Sequence, residues 1–141
     1  MRFPVWPAGS DVNYLGGRFG LPEVKVVHES TDRDEQAVLA TDVAVADSLW
    51  RKGIGLMFKR SLPEDFALVF PFSRVKTRDI HMVCVFVPLD VLWIVDDEVR
   101  RVERLRPWRG YAREPADLVI ELPAGAGSDV AAGDTVRVEG P

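Results

Sequence analysis

Several kinds of chemistry are excluded by what this chain has little of. One cysteine, Cys84, in 141 residues permits no internal disulfide and puts an all-cysteine zinc site out of reach of a single chain. Two histidines, His28 and His81, are too few for a three-histidine metal centre. Positive charge is not in surplus: 18 Lys and Arg stand against 22 Asp and Glu, a formal net charge of -4. That balance argues against a generally basic nucleic-acid protein. The longest apolar stretch, Val83 to Val95, contains Pro88 and Asp90 and falls short of the ~20 residues a membrane helix needs. Pro4 and Pro7 interrupt the opening segment before a signal-peptide core can develop. A cytoplasmic protein with no cofactor and no metal is the expectation.

What is present reads as an ordinary globular chain, 47% hydrophobic and 28% charged. Residues 1–22 form an aromatic, Pro/Gly-rich N-terminal arm carrying Phe3, Trp6, Tyr14 and Phe19. Its Gly16-Gly-Arg-Phe-Gly20 lacks the Gly-Lys-Ser/Thr of a phosphate loop, so packing on the domain surface is the simpler reading. Residues 23–141 read as a single β domain. Val24 and Val26 alternate with charged neighbours, and a second strand runs from Ala37 to Val45. Asp47 can cap a short helix carrying Leu49, Gly53, Leu56 and Met57. Phe66 to Phe70 is an apolar strand ended by Pro71, before a basic loop of Arg74, Lys76 and Arg78.

Residues 79–95 divide into two strands at Pro88. Asp96-Asp97-Glu98 then turns the chain into a hairpin. The three-residue spacing of Val99, Val102 and Leu105 predicts a bulge, because strict alternation would bury several arginines. Leu118, Ile120 and Leu122 mark a further strand. Ser128-Asp129 predicts one helical turn through Ala132, and Val136 with Val138 a last strand. The fold class is therefore mainly β, a small antiparallel barrel or sandwich with these two helical pieces.

Lys52-Gly-Ile-Gly-Leu-Met57, followed by Lys59 and Leu62, resembles the Arg-x-x-Gly-Leu-Met-x-Arg-x-x-Leu signature of domain-of-unknown-function family 192. Met82, Pro88-Leu-Asp90, Glu121-Leu-Pro-Ala-Gly125 and Gly133-Asp134 resemble the later blocks in order. The resemblance covers residues 36–138 and implies a compact β-barrel-like domain with no established activity. Val83-Cys-Val85 stands where relatives have Lys-Asn-Thr, His81 where an aromatic is common, and Lys52 and Lys59 where they have arginine. The lysines keep the charge but lose the planar fork.

Three constellations bear on function. Asp79, His81 and Cys84 invite a zinc reading, but in a strand Cys84 points opposite to Asp79 and His81, which makes it a core thiol. Asp79, His81 and Asp90 would line the pocket of a small enzyme if they converged; Asp90 can equally bond turn amides. No nucleophile completes a triad, and no catalytic residue is assigned. Between 99 and 113 six arginines face one glutamate, Glu103, with Trp108 and Tyr111 interleaved. Arginine with aromatics suits stacking and anion contact, although these arginines could instead pair with Asp96, Asp97, Glu98 and Glu103. The leading expectation is a non-catalytic module that binds a small anionic ligand or an acidic partner through Arg106, Trp108 and Arg109. His81, Asp79 and Asp90 are its possible polar contacts. The alternatives are the enzyme and a purely structural interaction domain.

Overall fold

Wherever polar and apolar residues alternate, the backbone is extended. The computed structural model describes residues 12–14, 24–46 and 56–140. Its strands are β1 (Val12–Tyr14), β2 (Lys25–Ser30), β3 (Glu35–Ala40), β4 (Asp42–Ala46), β5 (Phe66–His81), β6 (Leu89–Val95), β7 (Glu98–Leu105), β8 (Tyr111–Pro123) and β9 (Thr135–Glu139). They form one sheet in the order β1-β4-β5-β8-β6-β7-β9-β2-β3. The expected barrel or sandwich is corrected here: the sheet is continuous but not closed, with β1 and β3 at its edges.

Nor is it wholly antiparallel. β4 and β5 pair in parallel, Val43 opposite Ala67 and Val45 opposite Val69. A parallel pair requires a long crossover, and residues 47–65 provide it. The helix expected after Asp47 lies, as far as residue 55, outside the described residues; Leu56 to Phe58 form a turn. The helical turn expected near the C-terminus is absent. In its place Ala126, Ser128 and Val130 each donate to a carbonyl three residues back, a run of single turns that Gly125, at φ 101°, keeps from winding on. Part of the N-terminal arm joins the sheet, since β1 pairs with β4.

β5 does not stop at Pro71. A wide bulge between Pro71 and Lys76 bends it, and the strand continues to His81 against β8. The far halves of β5 and β8 thus make a two-stranded ribbon that folds back over the sheet. Two contacts show this: the Trp93 indole N–H donates to the Arg78 carbonyl at 3.0 Å, and Gly110 lies close to Met82 and Leu105. The ribbon gives the sheet two cores. On one face Val43, Val45, Val69, Leu92, Ile94, Leu118, Ile120 and Leu122 pack with Val26, Val136 and Val138. On the other Ala44, Leu68, Phe70, Val91, Trp93 and Val119 pack beneath Leu56, Met82, Val85, Ala112 and Ala116. Each fully buried Leu or Ile contributes about 1.5–3 kcal/mol, so the ribbon is held down by the apolar face it covers.

The bulge expected in β7 is present: Trp93 pairs with Arg101 and Ile94 with Val99, leaving Arg100 unpaired. Asp96 and Asp97, with φ of 54° and 69°, form the two-residue turn preceding it. The reading of Cys84 is corrected. Alternation holds through Met82 and then ends, because Val85 closes a turn by donating to the Met82 carbonyl at 3.0 Å. Cys84 sits in that turn, half-buried, and Phe86 beyond it is exposed.

Candidate functional site

Three loops meet at the tip of the ribbon: 56–60 from the crossover, 82–88 between β5 and β6, and 106–110 between β7 and β8. They are tied backbone to backbone. Phe58 N–H donates to the Cys84 carbonyl at 2.8 Å, Trp108 N–H to Val85 at 3.2 Å, and Met82 N–H to Gly110 at 3.0 Å. Each loop holds one non-glycine residue in the left-handed region: Phe58 at φ 68°, Cys84 at 62° and Trp108 at 66°. Side chains with a Cβ pay about 1–3 kcal/mol for such a conformation. The other non-glycine residues with positive φ among those described, Asp34, Asp96 and Asp97, belong to the short polar type that tolerates it.

The strained loops face outward. Phe58 is 64% exposed and Trp108 50%, with Val83, Phe86 and Tyr111 also exposed. Trp108 meets Phe86 edge-on, centroids 5.5 Å apart, and the Arg60 guanidinium lies 5.5 Å from the Phe86 ring centre. Beneath them Leu56, Met82 and Val85 are buried.

The structure divides the arginine-rich hairpin into two groups. Arg100 pairs with Glu98 at 3.6 Å, Arg101 with Glu103 at 3.0 Å, Arg104 with Asp90 at 2.8 Å, and Arg113 with Asp79 at 3.6 Å. Arg106 and Arg109 are exposed and have no carboxylate partner among the described residues. Two of the carboxylates expected at a binding site are therefore partners of the hairpin itself.

His81, Asp79 and Asp90 do not converge. Asp79 and His81 are exposed on the outer side of the ribbon. Asp90 is buried on the opposite face of β6 from Val91 and Trp93, which the ribbon covers. There its Oδ2 accepts from Gly125 N–H and Gly127 N–H, both at 2.9 Å. Asp90 is the clamp of the 123–128 turn, the alternative its Pro-Leu-Asp context suggested. No group of three His, Cys, Asp or Glu that could hold a metal occurs among the described residues.

Two buried groups were not singled out by sequence reasoning. His28 Nε2 and Asp134 Oδ2 are 2.7 Å apart, both side chains almost wholly buried. Asp134 also accepts from Ala131 N–H at 3.0 Å and from Thr31 N–H and hydroxyl at 3.2 and 3.1 Å. The pair fastens the β2–β3 hairpin to the start of β9. Burial pushes the Asp134 carboxyl up, but the His28, Ala131 and Thr31 bonds outweigh it and hold the group at about 2. A cleft of about 410 Å³ nearby is lined by the acids Glu29, Asp34 and Glu35 with neutral Thr31 and Gln36, a set that suits no anion.

The second group is Glu121. It lies in β8 between Leu68 of β5 and Val91 of β6, is 5% exposed, and its Oε2 has no hydrogen-bond partner among the described residues. Desolvation raises the carboxyl to about 8. In sequence Glu121 reads as the wet side of a half-buried strand, and nothing local signals that a ribbon covers that side.

Comparison with known proteins is consistent with this geometry. The family model DUF192, described as Uncharacterized ACR, COG1430, matches residues 29–138. A UPF0127 protein of Thermococcus gammatolerans is 33% identical over 87 residues, 59% of this chain and 56% of that protein. The chain thus spans little more than half of that relative's length. A UPF0127 protein of Pyrococcus horikoshii is 35% identical over 89 residues, 60% of this chain and 74% of that protein. Among solved structures, a Sinorhizobium meliloti protein described provisionally as a transcription regulator superposes with a TM-score of 0.73 at 25% identity, covering 82% of this chain and 93% of its own.

Proposed function

The chain belongs to the DUF192 family, and because membership supplies a fold without an activity, we propose a function from its surface: a non-catalytic module that docks an acidic partner. Phe58, Phe86 and Trp108 supply the apolar contact, and Arg106 and Arg109 the charge. One observation carries the reading. Three adjoining loops each hold a non-glycine residue in a costly conformation, two of them the exposed aromatics Phe58 and Trp108, and what the loops present is exposed aromatic surface beside guanidinium groups with no carboxylate partner among the described residues. Strain that persists at one spot calls for a role there, and exposed aromatics with arginine are the composition of binding hot spots.

Half-exposed side chains offer a face to lie against, not a cavity to fill, which favours an acidic chain over a small anion. Outside residues 99–113 the net charge is negative, so an acidic partner is repelled elsewhere and oriented toward this face. Such steering sets register and on-rate more than affinity. A cytoplasmic setting belongs to this proposal.

The test uses poly-L-glutamate as probe at low ionic strength. Arg106→Ala with Arg109→Ala should weaken binding at least tenfold, about 1.4 kcal/mol, and Trp108→Ala should weaken it further. Added salt should erase the difference as screening sets in. No binding by the unmodified protein, or equal binding by the double variant, overturns the proposal.

A further inference from the structure

The roots of the proposed docking loops and the Glu121 carboxyl share one core. Leu56, Met82 and Val85 belong to the cluster that includes Leu68, Val91 and Val119, and Glu121 lies on that face between Leu68 and Val91. A buried carboxyl with no donor is tolerated while neutral and becomes very costly once ionised, unless water or a cation reaches it.

Among the described residues, few charges are placed to relieve it. Neither β5 nor β6 presents a titratable side chain on this face next to Glu121. β4 contributes Asp42, whose Oδ1 is likewise without a partner among the described residues and which supplies no positive charge. On β8 itself Asp117 accepts from Asp96 N–H. Arg101 and Glu103 of β7 pair with each other. Arg78 of the ribbon donates to the Ala116 and Arg74 carbonyls. Lys59 and Arg60, at the crossover exit, are exposed.

Two layers enclose the group, and they differ in strength. The sheet beneath is laddered on both sides of β8. The layer above is a two-stranded ribbon and three strained loops. We propose that neutral Glu121 keeps this upper layer closed, and that loss of its proton to solvent releases the loops and withdraws the docking surface. As regulation of that surface, the inference rests on the interaction reading above. The raised titration of the carboxyl, to about 8, agrees with release in mildly alkaline solution and closure at neutral pH.

Cys84, the sole thiol of the chain, sits half-buried in the loop tip and reports its opening. The experiment measures the rate of reaction of Cys84 with a dithiobis(nitrobenzoate) reagent in the full chain and in Glu121→Gln, at matched pH. Taking the ratio of the two rates cancels the ionisation of the thiol. The ratio should be near one at about pH 6 and should rise by about tenfold by about pH 9. Poly-L-glutamate binding by the unmodified protein relative to Glu121→Gln should fall over the same range. Glu121→Leu serves as a second neutral reference and should match Gln. A ratio that stays flat with both variants overturns the inference. A rising ratio without the parallel loss of binding overturns the regulatory claim alone. Failure of the interaction reading shows separately, as no binding of the probe even at about pH 6.

Discussion

Asp90, Asp134 and Glu121 are all buried acids, and each meets the cost of desolvation differently. Asp90 takes two backbone N–H groups and the Arg104 guanidinium. Asp134 takes the His28 ring, Ala131 N–H and both donors of Thr31. Replacing Asp134 by Ala leaves the buried His28 ring without its partner and should cost about 1–3 kcal/mol in urea unfolding. Because its carboxyl is held below the ordinary 3.8, the contribution is complete above pH 4 or so. It should disappear as acid takes the pH down through about 2. Glu121 has no such partners, and its sign is opposite. Its folded-state value lies above the ordinary 4.5, at about 8, so stability is highest below the ordinary value and falls as pH rises between the two. Glu121→Gln removes that slope. Relative to the unmodified protein it should gain on the order of 4–5 kcal/mol between acid and about pH 9, read as diverging unfolding midpoints. At this scale the sequence shows which side chains are acids, and only the structure shows which are answered.

At the scale of elements, the strand pattern was largely legible. β2, β6, the first half of β5, the C-terminal half of β8 and β9 all follow from alternation or apolar runs, and the β7 bulge followed from a three-residue spacing. The misreadings arose where a strand outlasts its pattern or stops before it. Pro71 reads as an end because proline cannot donate, yet the chain bulges there and re-enters the ladder. Cys84 reads as inward because alternation is extrapolated past Met82, where a turn begins. The turn depends on a glycine distant in sequence. A Cβ on Gly110 would lie 2.8 Å from Arg106 N, Leu105 Cβ and Met82 Cγ, closer than packing allows. Gly110→Ala should therefore lower stability by about 1–3 kcal/mol in thermal unfolding, with faster Cys84 labelling as the tip loosens.

For the molecule as a whole, the pairings that organise the sheet join distant parts of the chain. β2 pairs with β9, and His28 reaches Asp134 across 106 positions. Such contacts require closing long loops before they reward it. Folding should therefore take milliseconds to seconds, as in other sheets of high contact order, when followed by stopped-flow tryptophan fluorescence. A microsecond phase carrying the full amplitude would contradict the topology.

By itself the sequence determined the strand content, most turns, the aromatic and arginine composition of the 106–111 loop, and the family. All of these depend on neighbours a few residues apart, where side-chain periodicity and turn chemistry act directly. Only the tertiary structure decided that the sheet stays open and that the β5–β8 ribbon covers its second face. It also decided that Arg104 and Arg113 are taken by Asp90 and Asp79 while Arg106 and Arg109 are not, and that Glu121 is buried. Those outcomes depend on which surfaces pack together across the fold, and local periodicity carries no record of the layer that will come to lie on top.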